Sequence, residues 1–434
     1  MTSQKKLVVL GAGTGGTLTA NRLRKQFPDT ELQIDIVDQD NDHLYQPGLL
    51  FVPFGHSEPD KLTKPRDRQL ADGITYHQNE IDSVDVATDS VKLSDGTVLN
   101  YDVLVVATGS VLQPEETEGL LGEGWFDSVF TFYDLPGATA LRQALEKFDR
   151  GRLVINVVDM PIKCPVAPLE FAFLADAYFI ERGVRDQISI VYATPLDGAF
   201  TKPIASKTLG SLLEEKGVEI ITEFNTGEVD GEAKKLVGYD GTEIPYDLAV
   251  VVPLHGGAAY VHRSDGLGDE LGFVPTDPHT LQSTVKPNIF VVGDASDLPA
   301  SKAGSVAHYE GEILVENLEA FLDDRPFPAS FDGHANCFIE TGFKKAFLID
   351  FNYETEPLTG FYPSRIGLPL MKQSRLNHIG KKLFEPVYWH ALLPGRDIPF
   401  IGAEMPEAGK KRPPEKTTNS ALVDEPAEER KVTS

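Results

Sequence analysis

The sequence predicts an α/β protein with two Rossmann-like units, followed by a C-terminal region of different character. Three observations predict this fold class. A short apolar strand near the N-terminus runs into a glycine-rich loop. A second strand-and-helix unit begins near Leu153 and lacks such a loop. From Ala329 onward, the alternation of strands and helices gives way to segments punctuated by proline and glycine. A chain of 434 residues is long enough for two or three domains.

The first unit opens with a strand over Lys5 to Leu10, a glycine loop at residues 11–16 and a helix from about Thr17 to Gln26. A second strand over residues 33–37 ends in Asp38. Glycine at positions 11, 13 and 16 (Gly11, Gly13 and Gly16) lets the backbone close on a pyrophosphate, and the helix N-terminus favours phosphate. Asp38 is placed to accept hydrogen bonds from a ribose diol. This pattern predicts a dinucleotide site.

The rest of the first unit supplies further candidate ligand contacts at breaks in apolar segments. A proline- and glycine-broken loop spans residues 43–55 and contains Pro47, and a hairpin with an Asp-Gly turn is predicted over 82–99. Two buried strands end in small-residue turns that let the backbone approach a ligand. These turns contain Thr108 and Gly109 after the strand at 101–108, and Gly293 and Asp294 within the strand segment 287–295. A helix is predicted over 305–321.

The second unit repeats the plan of the first without its phosphate loop. Strands are predicted at 153–158, 188–193 and 218–222, and the segment 246–253 mirrors 101–108, which indicates an internal duplication. Where a second glycine loop is expected, Cys164 stands among prolines. A helix follows over 169–181, with Glu170 near its start.

Composition excludes several classes of function. The net charge of −26 argues against nucleic-acid binding and favours adaptation to a salt-rich cytoplasm (a halophilic protein) over a merely acidic one. The two cysteines, Cys164 and Cys337, have no zinc-ligand spacing, so no metal is expected. The polar N-terminus has no export signal and no apolar run reaches 18 residues, so a cytoplasmic protein without a spanning helix is expected.

The stretch from Arg365 to Arg396 is predicted to dock on a membrane. It contains six Lys or Arg residues and one Glu in an otherwise acidic chain. Apolar residues recur in it at helical spacing, and aromatic residues follow: Leu376, Ile379, Leu383, Val387, Phe384, Tyr388 and Trp389. Basic, amphipathic and aromatic character together indicate a peripheral membrane patch. A dimer interface or a helix packed on the body is the alternative. Pro386 is expected to start a second short helix, and residues 403–434 are expected to be a disordered tail.

The glycine loop with Asp38, the Ala-Thr-Gly turn at 107–109 and the Gly293-Asp294 pair together resemble two-dinucleotide-fold flavoproteins of the disulfide-reductase type, over about residues 5–330. That resemblance places FAD in the first unit. Because the second glycine loop is missing, the remaining features resemble the sulfide:quinone oxidoreductases. The implied domains are 1–110 with 258–330 for FAD, 111–257 for the second FAD/NAD(P)-type unit, 331–402 for the redox, quinone and docking region, and 403–434 for the tail.

The same resemblance implies roles for individual residues. Cys164 and Cys337 would form the redox pair, and such cysteines need a lowered pKa. Lys302 would lie near flavin and quinone, and Pro47 would touch the isoalloxazine ring. Phe384 and Tyr388 are expected to contact the quinone. The family's usual third cysteine and a loop histidine within 196–203 are both missing. The FAD is therefore expected to be non-covalent, and Glu170 becomes the candidate for moving protons, with the other acid/base group open.

The predicted reaction is oxidation of sulfide at the cysteine pair, with two electrons passing through FAD to a membrane quinone. Cys164 would take the sulfur and Cys337 complete a bridge, or the reverse. The expected location is the cytoplasmic face of the membrane, with a homo-oligomer as an option. The alternatives are the flavoprotein subunit of a flavocytochrome c-type sulfide dehydrogenase, an NADH:quinone reductase and a non-enzymatic flavin redox sensor. The sequence leaves open which quinone is used and what the sulfur product is.

Overall fold

A computed structural model describes residues 4–398 and 401–412 of the chain. In chain order its strands are β1 (Lys5–Leu10), β2 (Leu32–Asp38), β3 (Asp42–Leu44), β4 (Thr63–Pro65), β5 (Ile74–Gln78), β6 (Ile81–Asp85), β7 (Ser90–Leu93), β8 (Val98–Asn100), β9 (Val103–Val106), β10 (Val111–Leu112), β11 (Val129–Phe130), β12 (Gly151–Val157), β13 (Ile188–Ala193), β14 (Val218–Ile221), β15 (Thr226–Asp230), β16 (Lys235–Gly238), β17 (Glu243–Pro245), β18 (Leu248–Val252), β19 (His255–Gly256), β20 (Ile289–Val291), β21 (Ala335–Gly342), β22 (Lys345–Phe351), β23 (Thr359–Tyr362), β24 (Leu368–Leu370) and β25 (Lys410–Lys411). Its α-helices are α1 (Thr14–Gln26), α2 (Leu135–Lys147), α3 (Ala167–Glu181), α4 (Pro203–Glu215), α5 (Ala259–His262), α6 (Gly304–Leu322) and α7 (Arg375–Val387).

The first sheet is parallel, with strand order β20-β9-β1-β2-β5. β2 lies on one side of β1 and β9 lies on the other, so the loop after β1 opens at the point where the strand order reverses. Ligands of open parallel sheets bind at such a point, beyond the carboxyl ends of the strands. The glycine loop, Asp38, the turn at 107–109 and Gly293 all follow strands of this sheet and meet at this edge.

The second sheet repeats this order as β11-β18-β12-β13-β14, again parallel. Within it, β18-β12-β13 corresponds to β9-β1-β2 of the first sheet. An antiparallel three-stranded sheet precedes β9 and another precedes β18, formed by β6-β7-β8 and β15-β16-β17. The α/β class with two Rossmann-like units is confirmed, and the repeated order supports the duplication inferred from the sequence.

Most predicted elements lie where the apolar pattern placed them, with small shifts at their ends. Helix α1 begins at Thr14 and α3 at Ala167, two to three residues before the predicted starts. The predicted hairpin over 82–99 is part of the three-stranded sheet β6-β7-β8. The predicted domain boundaries stay a prediction, although the first sheet draws its strands from residues 5–106 and 289–291, and the second from 129–252.

The C-terminal region packs an antiparallel hairpin, β21 with β22, against α3 and α7. The Ser374 hydroxyl caps α7 by accepting a hydrogen bond from the Asn377 backbone N–H at 3.0 Å. The expectation that Pro386 starts a new helix is wrong: Pro386 lies inside α7, which continues into a π-helix over Tyr388–Leu392.

The expectation of a disordered tail over 403–434 is wrong for its first part, and residues 413–434 lie outside the described ranges. Strand β25 pairs with β23, and Met405 is buried. The Lys410 side chain, 1% exposed, forms an ion pair with buried Asp350, whose other carboxylate oxygen lies 2.9 Å from His334 Nε2. Composition did not indicate this contact because Lys410 lies in a polar segment, next to Lys411 and Arg412. Over the described ranges, no helix is long and apolar enough to cross a bilayer.

Candidate functional site

A cavity of about 400 Å³ lies at the carboxyl ends of β1, β9, β12 and β20. Its volume is within the range of small-molecule sites. Most of the residues singled out in the sequence line it: Gly11, Gly13, Asp38, Pro47, Thr108, Gly109, Cys164, Glu170, Gly293, Asp294, Lys302 and Tyr388. Gly16, Cys337 and Phe384 are not among the lining residues. One cavity therefore joins the glycine loop to the first of the two cysteines.

The glycine loop has the backbone packing that a phosphate cradle needs. Gly11 has a φ of +94°, and a Cβ on it would lie 2.5 Å from the Ala107 carbonyl oxygen. A Cβ on Gly16 would overlap the Gly11 carbonyl oxygen, so this glycine serves close packing of α1. A Cβ on Gly13 would meet no heavy atom within 4 Å, which leaves its face open. These features fit FAD, whose pyrophosphate would lie against the N-terminus of α1.

Asp38, at the end of β2, is held by its neighbours in the position expected for a ribose contact. Its Oδ2 accepts a hydrogen bond from the Ala12 backbone N–H at 2.8 Å and lies 3.2 Å from Arg66 Nη1. Burial raises the pKa of Asp38, and Arg66 opposes that effect. Arg66 also lines the cavity and donates to the Ala12 carbonyl oxygen at 2.9 Å. Arg66 was not predicted from the sequence, because a single arginine in a loop carries no local pattern that marks it as a site residue.

Asp294 and Lys302 stand on the opposite side of the glycine loop, after β20. Lys302 Nζ donates to the backbone carbonyl oxygens of Asp294, at 2.9 Å, and Ser296, at 2.7 Å. Buried Glu310 of α6 accepts from the Gly293 N–H at 2.5 Å, and burial raises its pKa to about 7. Glu310 thereby fixes the turn that contains Asp294. Its signal in the sequence was an acidic residue on the apolar face of a predicted helix.

Cys164 lies in the loop between β12 and α3, with a φ of +47°. Its backbone N–H donates to the Lys302 carbonyl oxygen at 2.6 Å, which ties this loop of the second unit to the first unit. The Tyr133 hydroxyl donates to the Cys164 carbonyl oxygen at 3.4 Å. The thiol is half-buried and faces the cavity.

Cys337 reaches the same region from β21, where it pairs with Ile349 of β22. It is buried, at 9% exposure, and packs in the same apolar cluster as Cys164. Each cysteine is a free thiol, and the two are close enough for Cys164 to influence the titration of Cys337. Residues 173 positions apart in the chain are thus brought together, because α3 packs against β21.

Glu170 is buried in the first turn of α3, next to both cysteines. Its Oε1 forms an ion pair with Lys381 of α7 and accepts a hydrogen bond from the Glu340 N–H at 2.7 Å. Lys381 Nζ also donates to the Phe338 carbonyl oxygen at 3.2 Å and lines the cavity. The sequence pattern predicts Lys381 only as one of the charges of the basic stretch 365–396. A lysine in the middle of an amphipathic helix was the available signal.

The thiol pKa values differ from the expected lowering. Burial raises the pKa of Cys164 to about 12, and Glu170 adds to the rise. Burial and the neighbouring Cys164 raise the pKa of Cys337 as well. Lys381 is the cation that opposes both shifts. Any thiolate at this site therefore depends on Lys381 and on charge that ligands bring.

Helix α7 exposes only part of the face predicted to meet a membrane. Leu376, Ile379 and Leu383 are 57%, 50% and 56% exposed. Tyr388 and Trp389, expected as interfacial aromatics, are buried instead, at 2% and 5% exposure. They turn inward because the π-helix packs them against residues of the FAD-type unit, among them Tyr45 and His43.

Phe384, one of the two aromatic residues expected to contact a quinone, is half-buried in α7. Its ring lies near Gly304, at the start of α6, and Gly304 lines the cavity. The ring centroid of Tyr388 lies 6.2 Å from that of Phe384, and the Tyr388 hydroxyl group contacts Thr14 of the glycine loop. The structure thus places the two expected quinone contacts next to each other, and of the two only Tyr388 lines the cavity.

Comparison with known proteins gives consistent results. A family model described as pyridine nucleotide-disulphide oxidoreductase matches residues 5–157 and 166–311, which omits the segment that contains Cys164. The chain is 30% identical over 410 residues to the mitochondrial sulfide:quinone oxidoreductase of Schizosaccharomyces pombe, covering 89% of each. It is 28% identical over 396 residues to that of Dictyostelium discoideum, covering 90% of this chain and 86% of the relative.

A solved structure has the same fold. The X-ray structure of the sulfide:quinone oxidoreductase from Aquifex aeolicus superposes with a TM-score of 0.76 at 20% sequence identity. The match covers 90% of this chain and 92% of that one.

Proposed function

Because the chain belongs to the pyridine nucleotide-disulphide oxidoreductase family and, within it, to the sulfide:quinone oxidoreductases, we propose that it uses FAD to oxidise sulfide and reduce a quinone. The observation that carries this proposal is the single cavity that runs from the glycine loop to Cys164, with Cys337 packed in the same cluster. A nicotinamide donor has no second glycine loop to bind. Sulfide at the cysteines takes its place as the source of electrons.

In the proposed reaction, sulfide gives up two electrons and two protons, which convert the quinone to a quinol. From the two free thiols, this two-electron step leaves the sulfur atom on one cysteine as a persulfide. A sulfur bridge between Cys164 and Cys337 forms in a two-electron step only when the pair starts as a disulfide; from the free thiols it takes a second two-electron oxidation by FAD and quinone. When bound, FAD supplies the two-electron relay between sulfur and quinone. The chain orients the thiols: Lys302 fixes the loop of Cys164 through its carbonyl oxygen, and β21 presents Cys337.

Glu170 and Lys381 are proposed to manage charge and protons beside the sulfur atoms. Burial raises the pKa of Glu170, and Lys381 opposes this rise. The ion pair thus holds a carboxyl group with a perturbed pKa next to Cys164, as proton transfer requires. Lys381, whose charge offsets the negative charge of a thiolate or persulfide, is proposed as the second group of the site.

The electrons are proposed to leave toward a membrane-dissolved quinone near Phe384, with the enzyme attached peripherally to the cytoplasmic face. Support comes from the exposed apolar residues of α7 and from the basic stretch that surrounds them. Tyr388 stays a proposed quinone contact through its ring, whose centroid lies 6.2 Å from that of Phe384, while its hydroxyl group contacts Thr14. The cofactor is proposed to be non-covalent because the chain has no cysteine other than Cys164 and Cys337.

Anaerobic reduction of the bound flavin tests this function. Sulfide alone is expected to bleach the flavin absorbance, and a short-chain quinone is expected to restore it. NADH added in place of sulfide is expected to leave the flavin oxidised. Cys164→Ser and Cys337→Ser should each abolish bleaching by sulfide, whereas Tyr239→Phe, at a tyrosine that is 84% exposed, should not.

Two results would contradict the proposal. Bleaching by NADH alone would favour an NADH:quinone reductase. Full activity of either serine variant would exclude a mechanism in which both cysteines hold the sulfur.

A further inference from the structure

Tyr388 is a buried residue that joins the C-terminal segment to the glycine loop. It begins the π-helix that follows α7, and its side chain lines the cavity. Its hydroxyl oxygen lies 2.7 Å from Thr14 Oγ1 and 2.7 Å from His43 Nε2. Thr14 is 374 positions away in the chain, so this contact exists only in the folded protein.

Thr14 occupies the position at which α1 begins. It lines the cavity beside Gly13, whose N-cap position has no side-chain hydrogen bond. The first backbone N–H groups of a helix are the ones that bind a phosphate. A hydroxyl group fixed at this place therefore stands next to the groups that would receive the FAD pyrophosphate.

Further contacts fix the position of Tyr388 next to Thr14. The Asn21 side-chain amide donates to the Leu393 carbonyl oxygen at 2.8 Å, and Lys25 Nζ donates to the Gly395 carbonyl oxygen at 2.9 Å. These two bonds attach the chain after the π-helix to the length of α1. The Tyr45 ring, 5.0 Å from the Tyr388 ring between centroids, supports it from the loop after β3.

We propose that Tyr388 is a positioning residue of the FAD-pyrophosphate site, which holds the Thr14 hydroxyl group at the N-terminus of α1; this assignment rests on the proposed binding of FAD. The C-terminal segment then completes the cofactor site of the first unit. His43 secures the Tyr388 hydroxyl from the other side. Burial lowers the pKa of His43 to about 3, so the imidazole is neutral and adds no charge to the site.

The rate at which FAD leaves the purified holoenzyme tests the assignment. The holoenzyme is diluted and the fluorescence of released FAD is followed, without sulfide or quinone. Tyr388→Phe keeps the ring and removes the hydroxyl group, and should speed release by about 3- to 10-fold, the effect of one lost hydrogen bond. Tyr239→Phe is the matched control because Tyr239 is exposed, and its release rate should equal that of the wild type.

Thr14→Val should also speed release, and the double variant should release FAD no faster than Thr14→Val alone, because both substitutions remove the same contact. The Thr14→Val arm also decides the matter if Tyr388→Phe does not fold, since its unchanged release rate would overturn the assignment. Unchanged release from Tyr388→Phe, or strictly additive effects in the double variant, would overturn it as well.

The same measurements distinguish an error in the role of Tyr388 from an error in the proposed function. A wild-type protein that contains no FAD would overturn both. A wild-type protein that contains FAD and is bleached by sulfide, together with unchanged release from Tyr388→Phe, would overturn the role of Tyr388 alone.

Discussion

The two cysteine thiols lie in surroundings that oppose their ionisation. Burial raises the pKa of Cys164 to about 12. Lys381 is the one cation among the groups that influence this pKa most, and it lowers the pKa. Glu170, paired with that lysine, adds negative charge at the same point. The balance between these two side chains therefore controls how much thiolate is present. A buried ion pair contributes little to stability on average, so we expect this pair to act mainly through its charge on the neighbouring Cys164.

Replacement of Lys381 by Met should slow the reduction of flavin by sulfide. Each unit by which the thiol pKa rises lowers the thiolate fraction about tenfold below that pKa. Because Lys381 lowers the pKa of both Cys164 and Glu170, its loss should move the pH profile of the reduction rate to higher pH. Stopped-flow absorbance of the flavin from pH 6 to 10 measures both effects.

Two controls separate charge from packing at this position. Lys381→Arg keeps the positive charge and should retain most of the rate. Lys382→Met removes an exposed charge next to it and should behave as the wild type. A pH profile of Lys381→Met that coincides with that of the wild type would show that Lys381 does not tune the thiols.

Helix α7 and the residues that follow it contribute to three parts of the molecule: the exposed surface, the ion pair with Glu170 and the contact with the glycine loop. Leu376, Ile379 and Leu383 recur at helical spacing and are exposed. Lys381 points inward to Glu170, and the chain after the helix delivers Tyr388 to the glycine loop. The sequence pattern identified the exposed face. The same pattern assigned Lys381, Tyr388 and Trp389 to the membrane patch. This happened because periodicity does not show which side chains of neighbouring elements a residue contacts.

Replacement of all three exposed apolar residues of α7 by Asn should weaken binding to anionic lipid vesicles at least about tenfold, since each leucine or isoleucine contributes roughly 1.5–3 kcal/mol when it leaves water. Vesicle cosedimentation measures the binding. A matched triple variant with Asn at Val98, Leu121 and Leu271, which are exposed elsewhere, should bind as the wild type. Equal binding by both triple variants would indicate that α7 does not contact the bilayer.

The whole molecule carries a net charge of −26. Repulsion among like charges destabilises a compact state and is screened by salt, because the Debye length falls from about 10 Å at 0.1 M to about 3 Å at 1 M. Adaptation to a salt-rich cytoplasm stays a prediction from this charge.

The temperature at the midpoint of thermal unfolding should rise between 0.1 M and 2 M KCl if the charge reflects such adaptation. Circular dichroism of the holoenzyme at several KCl concentrations measures it, with excess FAD present so that loss of cofactor does not set the midpoint. A midpoint that stays constant or falls with KCl would contradict a halophilic protein.

The sequence by itself determined the fold class and the FAD-type unit. Glycine spacing, apolar strands and Asp38 are local patterns, and parallel sheets bring the ends of their strands to one edge whatever the rest of the chain does. The same local logic placed Cys164 where a second glycine loop was missing. Its resemblance to a known family supplied Cys337 as the partner.

Only the tertiary structure decided which side chains complete the site. Lys381 contacts Glu170 across 211 positions and Tyr388 contacts Thr14 across 374. Outside the cavity, Lys410 contacts Asp350 across 60 positions. Each of these contacts depends on how α7 and the segment after it pack on the body. A sequence pattern shows whether a residue is polar and which face of an element it shares. Burial of a lysine or a tyrosine is favourable only when a partner from a distant element binds its polar group. That partner is determined by how the elements pack.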